Sequence, residues 1–153
     1  MNARYPAIAE RAAYRCEYCH APESVFNFPF EVEHIHPQAR GGSDDLDNVA
    51  LSCHACNLFK SDFETGHDEE DQAEVALFHP RRDIWDLHFA VDIERAEIIG
   101  RTPTGRATIE RLRMNRPRQI SVRLGGYNSV CFPSPFLFRR LTTTQERQNN
   151  QTL

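Results

Sequence analysis

The sequence has a single lysine, Lys60, in 153 residues, so nearly all of its 18 positive side chains are arginine. Positive charge is not in surplus either: 22 acidic residues against those 18 give a formal net charge of −4. That balance excludes a uniformly basic surface and makes any nucleic-acid contact a matter of local charge. No apolar run approaches the length of a membrane span, and the N-terminus has no basic start leading into one. The chain therefore reads as soluble and cytoplasmic, with no membrane partner. Disulfides are not expected. Of five cysteines, four stand in two Cys-x-x-Cys pairs, Cys16/Cys19 and Cys53/Cys56, which suits a zinc site in a reducing compartment better than a disulfide framework. The fifth, Cys131, reads as a small buried or semi-buried apolar residue with nothing beside it to activate the thiol.

What is present is unevenly placed. A chain of this length buries one ordinary core with room for a small appended lobe. Acid gathers between Asp62 and Glu74, with Gly66 to Gln72 reading as an exposed acidic linker turned away from any bound polyanion. Arg106, Arg111, Arg113, Arg116, Arg118 and Arg123 make the later third basic, and the phosphate-facing surface is expected there, with Arg111, Arg113, Arg116 and Arg118 as DNA contacts.

Along the chain, Pro6 to Arg15 predicts a short leading helix that delivers Cys16. Cys16-Glu17-Tyr18-Cys19 and Cys53-His54-Ala55-Cys56 have the spacing of zinc knuckles, and together they predict one tetrahedral structural zinc. His20 and His54 are alternative ligands, ranked lower because four thiolates already fill the site. Phe26, Phe28 and Phe30 read as core residues. Phe30 to His36 predicts a strand with Val32, His34 and His36 on one face and Glu31, Glu33 and Ile35 on the other. Gln38 to Asp47 predicts a glycine-containing loop, Asn48 to Ser52 a second strand, and His54 or Ala55 through Lys60 a helix. Further on, Ala73 to Phe78 is an apolar segment, Ile84 to Val91 with Ala96 to Ile99 suggests a hairpin, and Thr102 to Asn115 a capped helix ending near Pro117. His79 and His88 read as surface or packing residues. After Gly125-Gly126 the chain is expected to be an irregular, partly disordered tail, with Phe132, Phe136, Leu137 and Phe138 available to pack on the body or on a second subunit.

The series Glu33-His34, Gly41-Gly42, Asn48 and Cys53-x-x-Cys56-Asn57-x-x-Lys60, after Cys16-x-x-Cys19, resembles the HNH endonuclease family over roughly Tyr14 to Asp62. The resemblance implies an α+β fold: a ββα-metal (His-Me finger) module over residues 1–65 with a two-knuckle, four-cysteine zinc site. A small C-terminal α/β extension would follow over 66–124, and the tail over 125–153. His79-Pro80-Arg81-Arg82, Trp85, His88-Phe89 and Gly100-Arg101-Thr102-Pro103-Thr104-Gly105-Arg106-Ala107-Thr108 are similar to the C-terminal extension of one HNH subgroup. Glu33 stands where the family most often has Asp, and Asn57 where many members have a third histidine. Both keep an oxygen donor, so a hard cation is still expected.

By that resemblance the chain is a metal-dependent endonuclease acting on DNA. His34 takes a proton from water, Glu33 and Asn57 hold one Mg²⁺ or Mn²⁺, and Asn48 supports the loop and orients His34. Lys60 either adds positive charge near the phosphate or is a solvated helix residue. His36 is either a further ligand or substrate contact, or a cap of the loop. The competing reading is a zinc-stabilised DNA- or protein-binding module without catalysis; it accounts for the cysteines and arginines but gives Glu33, His34, Asn48 and Asn57 no reason. A third is an HNH descendant that has lost activity, although no expected catalytic position has become apolar.

Overall fold

The computed structural model describes residues 2–128. Helix α1 (Tyr5–Arg11) opens with Pro6 in its first turn, where a missing N–H costs nothing. It stops four residues short of the expected Arg15, because Ala13 and Tyr14 turn into the left-handed region (φ 49° and 55°). The Tyr14 N–H closes onto Ala9 O at 2.8 Å. That turn reverses the chain and feeds the first cysteine knuckle. Arg11 then ties the helix down, donating to Leu46 O at 2.7 Å and Val49 O at 2.6 Å.

Strands β1 (Glu31–His34) and β2 (Val49–Ser52) pair antiparallel, with Glu31 opposite Ser52 and His34 opposite Val49. Helix α2 (His54–Lys60) follows after a single residue and lies along β1. This is the expected ββα unit. Around it the core gathers Ile8, Tyr18, Leu51, Phe89, Leu112 and Met114.

The second half corrects three sequence expectations. The acidic stretch is not an exposed linker: β3 (Thr65–Asp68) and β4 (Ala73–Ala76) form a hairpin with the acidic run at its turn. Asp68 is fully buried and bidentate to Arg106, with Nε to Oδ1 at 2.8 Å and Nη2 to Oδ2 at 2.7 Å. Glu70 and Asp71 reach the same guanidinium at 3.1 and 3.3 Å. The partner lies 38 positions away, so charge patterning along the chain could not reveal it. Arg106 is correspondingly spent on the fold and not on a ligand.

Ile84 to Val91 is not continuous strand either. One helical turn, α3 (Trp85–His88), precedes β5 (Phe89–Asp92), which pairs with β6 (Glu97–Gly100) as the expected hairpin. The turn exists to seat Trp85, whose Nε1 donates to Tyr18 O at 2.8 Å and whose ring stacks on His20. Helix α4 (Pro103–Leu112) starts as expected, with Thr102 Oγ1 accepting from Gly105 N at 3.1 Å, and ends at Arg113 in the left-handed region. It packs across β3, β4, β6 and α2, binding the extension to the ββα unit.

The third correction is helix α5 (Pro117–Asn128), which sequence reading did not assign. Pro117 reads in sequence as a stop for the preceding helix, but proline is equally suited to start one. The helix crosses the expected boundary at residue 124 in spite of Gly125 and Gly126, each costing roughly 1 kcal/mol in a helix. Arg123 anchors it, donating to Ala96 O at 2.6 Å, Met114 O at 2.9 Å and Asn115 Oδ1 at 3.0 Å. Arg123, like Arg106, is therefore removed from the phosphate-facing set. Cys131, the aromatic group Phe132 to Phe138 and the rest of the tail lie outside the described residues.

The Asp68–Arg106 lock makes a pH prediction. Hydrogen bonding to Arg106 holds the Asp68 carboxyl at about 2, below the ~3.9 expected of an unfolded chain. A depressed folded-state value means its contribution is complete above pH ~4 and disappears as pH falls through about 2. Urea midpoints recorded across that window should drop steeply for wild type and less steeply for Asp68→Asn, which starts lower. Parallel profiles would show that the pair does not govern acid stability.

Candidate functional site

The four predicted zinc ligands converge. Cys16, Cys19, Cys53 and Cys56 are all buried, and their Sγ atoms lie within 4.8 Å of one another. Tetrahedral zinc with Zn–S bonds of ~2.3 Å requires sulfurs about 3.8 Å apart. Cys19 Sγ and Cys53 Sγ are 3.8 Å apart, so the donor set fits zinc in type, number and spacing. Burial raises the Cys16 thiol, but hydrogen bonds from Cys19, Cys53 and Cys56 outweigh it and hold Cys16 well below the ordinary thiol range. A thiolate is the form that binds a metal. His20 stacks on Trp85 and His54 pairs with Glu31, so neither is drawn to the sulfurs.

Between the two knuckles hang β1, β2 and the loop that joins them. His34, at the end of β1, has its Nε2 at 2.7 Å from Asp44 Oδ1. Gln38 Nε2 donates to the same oxygen at 2.9 Å. The hydrogen bond from His34 holds the Asp44 carboxyl below its usual value. With Nε2–H donating to the carboxylate, Nδ1 is the nitrogen left with a lone pair.

Asn48 closes the loop on itself. Its Oδ1 accepts from His36 N at 2.9 Å, and its Nδ2 donates to His36 O at 3.0 Å and Ser43 O at 2.7 Å. The two glycines make that closure possible. Gly41 sits at φ 89°, and a Cβ on Gly42 would lie 1.8 Å from His36 O. Asn48 thus grips the backbone at His36, two residues past His34. His36 itself points its ring at Glu64, Nδ1 to Oε1 2.8 Å.

On the other face of β1 the structure separates residues that the sequence reading had joined. Lys60 is 2% exposed and Glu33 4%. Lys60 Nζ lies 2.5 Å from Glu33 Oε1 and donates to His34 O at 3.1 Å. Tyr18 OH donates to Glu33 Oε2 at 2.6 Å. Lys60 is therefore neither a solvated helix residue nor open to a phosphate. It neutralises a buried carboxylate and holds the carbonyl of His34. Asn57 has a different partner: its amide donates to Glu31, whose Oε1 also meets His54 Nδ1 at 2.8 Å. Glu33 and Asn57 thus have no partner in common. Tyr18, Glu31, Asp44 and Glu64 were missed by sequence reasoning. Tyr18, inside the first knuckle, gave the only signal.

Three of the predicted DNA-contacting arginines lie over aromatic rings of α2 and the residues just past it. The Arg111 guanidinium covers the Phe63 ring at 3.9 Å, and Arg113 and Arg116 cover Phe59 at 5.0 and 4.5 Å. None of these three, nor Arg118, makes an ion pair among the described residues, in contrast to Arg106. Arg111, Arg113 and Arg116 line a cleft of about 580 Å³ that also carries His67, Glu69 and Glu110.

The family model described as HNH endonuclease matches residues 16–63. Residues 16–63 are an HNH endonuclease-family domain. The match runs from the first cysteine of the zinc cluster to just past α2, so it covers the ββα unit and both knuckles. The match makes residues 16–63 a nuclease-type or nucleic-acid-binding module. No curated protein and no solved structure matches the chain. No helix among the described residues is long and apolar enough to cross a membrane.

Proposed function

We propose that the protein is an endonuclease that hydrolyses phosphodiester bonds in DNA, with His34 as the general base. The observation that carries this is the His34–Asp44 pair at 2.7 Å on the strand end that Asn48 grips. A binding module has no need of an imidazole braced against a carboxylate. Asp44 accepts a hydrogen bond from Nε2–H, so that in the neutral ring Nδ1 carries the lone pair that takes a proton from water, and the carboxylate then stabilises the imidazolium that results. Lys60 fixes the carbonyl of His34 and Asn48 fixes the backbone of His36 two residues on, so the segment that carries the ring is held on both sides.

A divalent cation, Mg²⁺ or Mn²⁺, would add positive charge at the phosphate and the leaving oxygen. Of the expected ligand pair, Asn57 fits and Glu33 does not, since both Glu33 oxygens are already bonded to Lys60 and Tyr18. Glu31 and Asn57, half-open to solvent on the face of β1 opposite His34, are the side chains that would hold an ion, with the phosphate reaching both round the strand. Arg111, Arg113, Arg116 and Arg118 serve the DNA backbone.

Conversion of supercoiled plasmid to nicked or linear forms by zinc-loaded protein tests this reading. Cleavage should require added Mg²⁺ or Mn²⁺ and stop with EDTA. Plasmid binding without cleavage under either ion would favour the zinc-stabilised binding module.

A further inference from the structure

A groove of about 530 Å³ runs between the second zinc knuckle, α2 and the start of α5. Phe26, Leu58, Phe59 and Val122 form its apolar lining, Arg116 and Arg118 stand at its edge, and no aspartate or glutamate lines it. Leu58 is 59% exposed although it sits mid-helix, so an apolar side chain is held open to solvent beside two arginines that have no carboxylate partner among the described residues. The volume lies within the roughly 300–1,000 Å³ of pockets that enclose small ligands.

We propose that this groove receives an unpaired nucleobase of the DNA strand, with the adjoining phosphates on Arg116 and Arg118. This deepens the nuclease reading and rests on its nucleic-acid part. The argument is complementarity. An apolar peptide would cover Phe26, Leu58 and Val122 but leave two guanidiniums facing nothing negative. A DNA duplex would satisfy the guanidiniums but offers only sugar and phosphate to the apolar lining, because its bases are paired and stacked. A base outside the stack, carrying a phosphate on each side, matches both. Phe59 already carries the guanidiniums of Arg113 and Arg116, and mixed aromatic–arginine surfaces are what single-stranded nucleic acids stack on. The substrate would then be single-stranded DNA, or duplex with an extrahelical nucleotide beside the cut.

Fluorescence anisotropy on the full chain, zinc-loaded and without added divalent cation, tests this with three probes: a short single strand, the same strand with its central nucleotides abasic, and the matching duplex. The single strand should bind tightest, and loss of the bases should weaken it on the order of tenfold. Leu58→Asn should erase the difference between base-bearing and abasic strands, and Val122→Asn should do the same. Arg118→Gln should weaken both strands alike. Zinc content and circular dichroism confirm that each variant is folded. Equal affinity for base-bearing and abasic strands, or a preference that survives Leu58→Asn, overturns the proposal, whatever else fills the groove. The plasmid assay on the same preparation separates the two failures. Cleavage without base preference removes only the groove, whereas no binding and no cleavage removes the nuclease reading with it.

Discussion

Cys16→Ser, or chelation of the four-cysteine site, is expected to unfold the HNH domain and not merely to inactivate it. Structural zinc supplies on the order of 10 kcal/mol of folding free energy in small domains, which is as large as the whole stability of a typical domain, about 5–15 kcal/mol. Geometry explains why the loss would be general here. Cys19 and Cys53 stand 34 residues apart, and β1, the clamped loop and β2 are all strung between them. Without the ion, buried sulfurs have only one another as partners, and both ends of the β1–β2 segment are released. Near-ultraviolet circular dichroism and thermal melting, with and without chelator, read the outcome. A cooperative transition at an unchanged temperature after zinc has been removed would show that the cluster is not what holds the domain.

The second large effect belongs to Lys60. Lys60→Met should destabilise the protein by about 3–5 kcal/mol, because it leaves the Glu33 carboxylate buried without its cation. A buried pair is better judged by breaking it than by its mere presence, since two ions cost much to desolvate and a well-packed neutral replacement is often tolerated. Glu33→Gln in the Lys60→Met background should accordingly recover much of the loss: the charge is gone and an amide oxygen still accepts from Tyr18. Urea unfolding at constant zinc measures both. A loss below about 1 kcal/mol in the single variant would mean that Glu33 is not held as a buried anion. The same experiment separates this role from a phosphate contact, which would alter cleavage and leave stability alone.

The sequence was most legible where chemistry and spacing coincide. Two Cys-x-x-Cys pairs named their own partner, and the alternation through Val32 and His34 located β1, although the strand ends at His34 and not at His36 as expected. Gly41-Gly42 and Asn48 declared a tight loop, and the structure supplies the reason: the His36 carbonyl that Asn48 holds occupies the space that a Gly42 side chain would need. Legibility ended where a residue's meaning depends on a distant partner. Asp68 looked solvated because Arg106 is far along the chain. Lys60 looked exposed because nothing near it in sequence shows that Glu33 and Tyr18 enclose it. Asp44 is one of several acids in the loop, and only the fold selects it for His34. Helix α5 was hidden by a proline and two glycines that read as punctuation, while the arginine that anchors it read only as part of a basic stretch.

The most direct measurement is the rate of supercoiled plasmid cleavage by wild type and His34→Ala at matched zinc content, with Mg²⁺ or Mn²⁺ present. If His34 is the base, the variant should lose cleavage by on the order of 10²–10⁴-fold while keeping its zinc, its melting behaviour and its affinity for DNA. Cleavage at the wild-type rate by a folded, zinc-loaded His34→Ala protein would contradict the assignment and move the chemistry away from the end of β1.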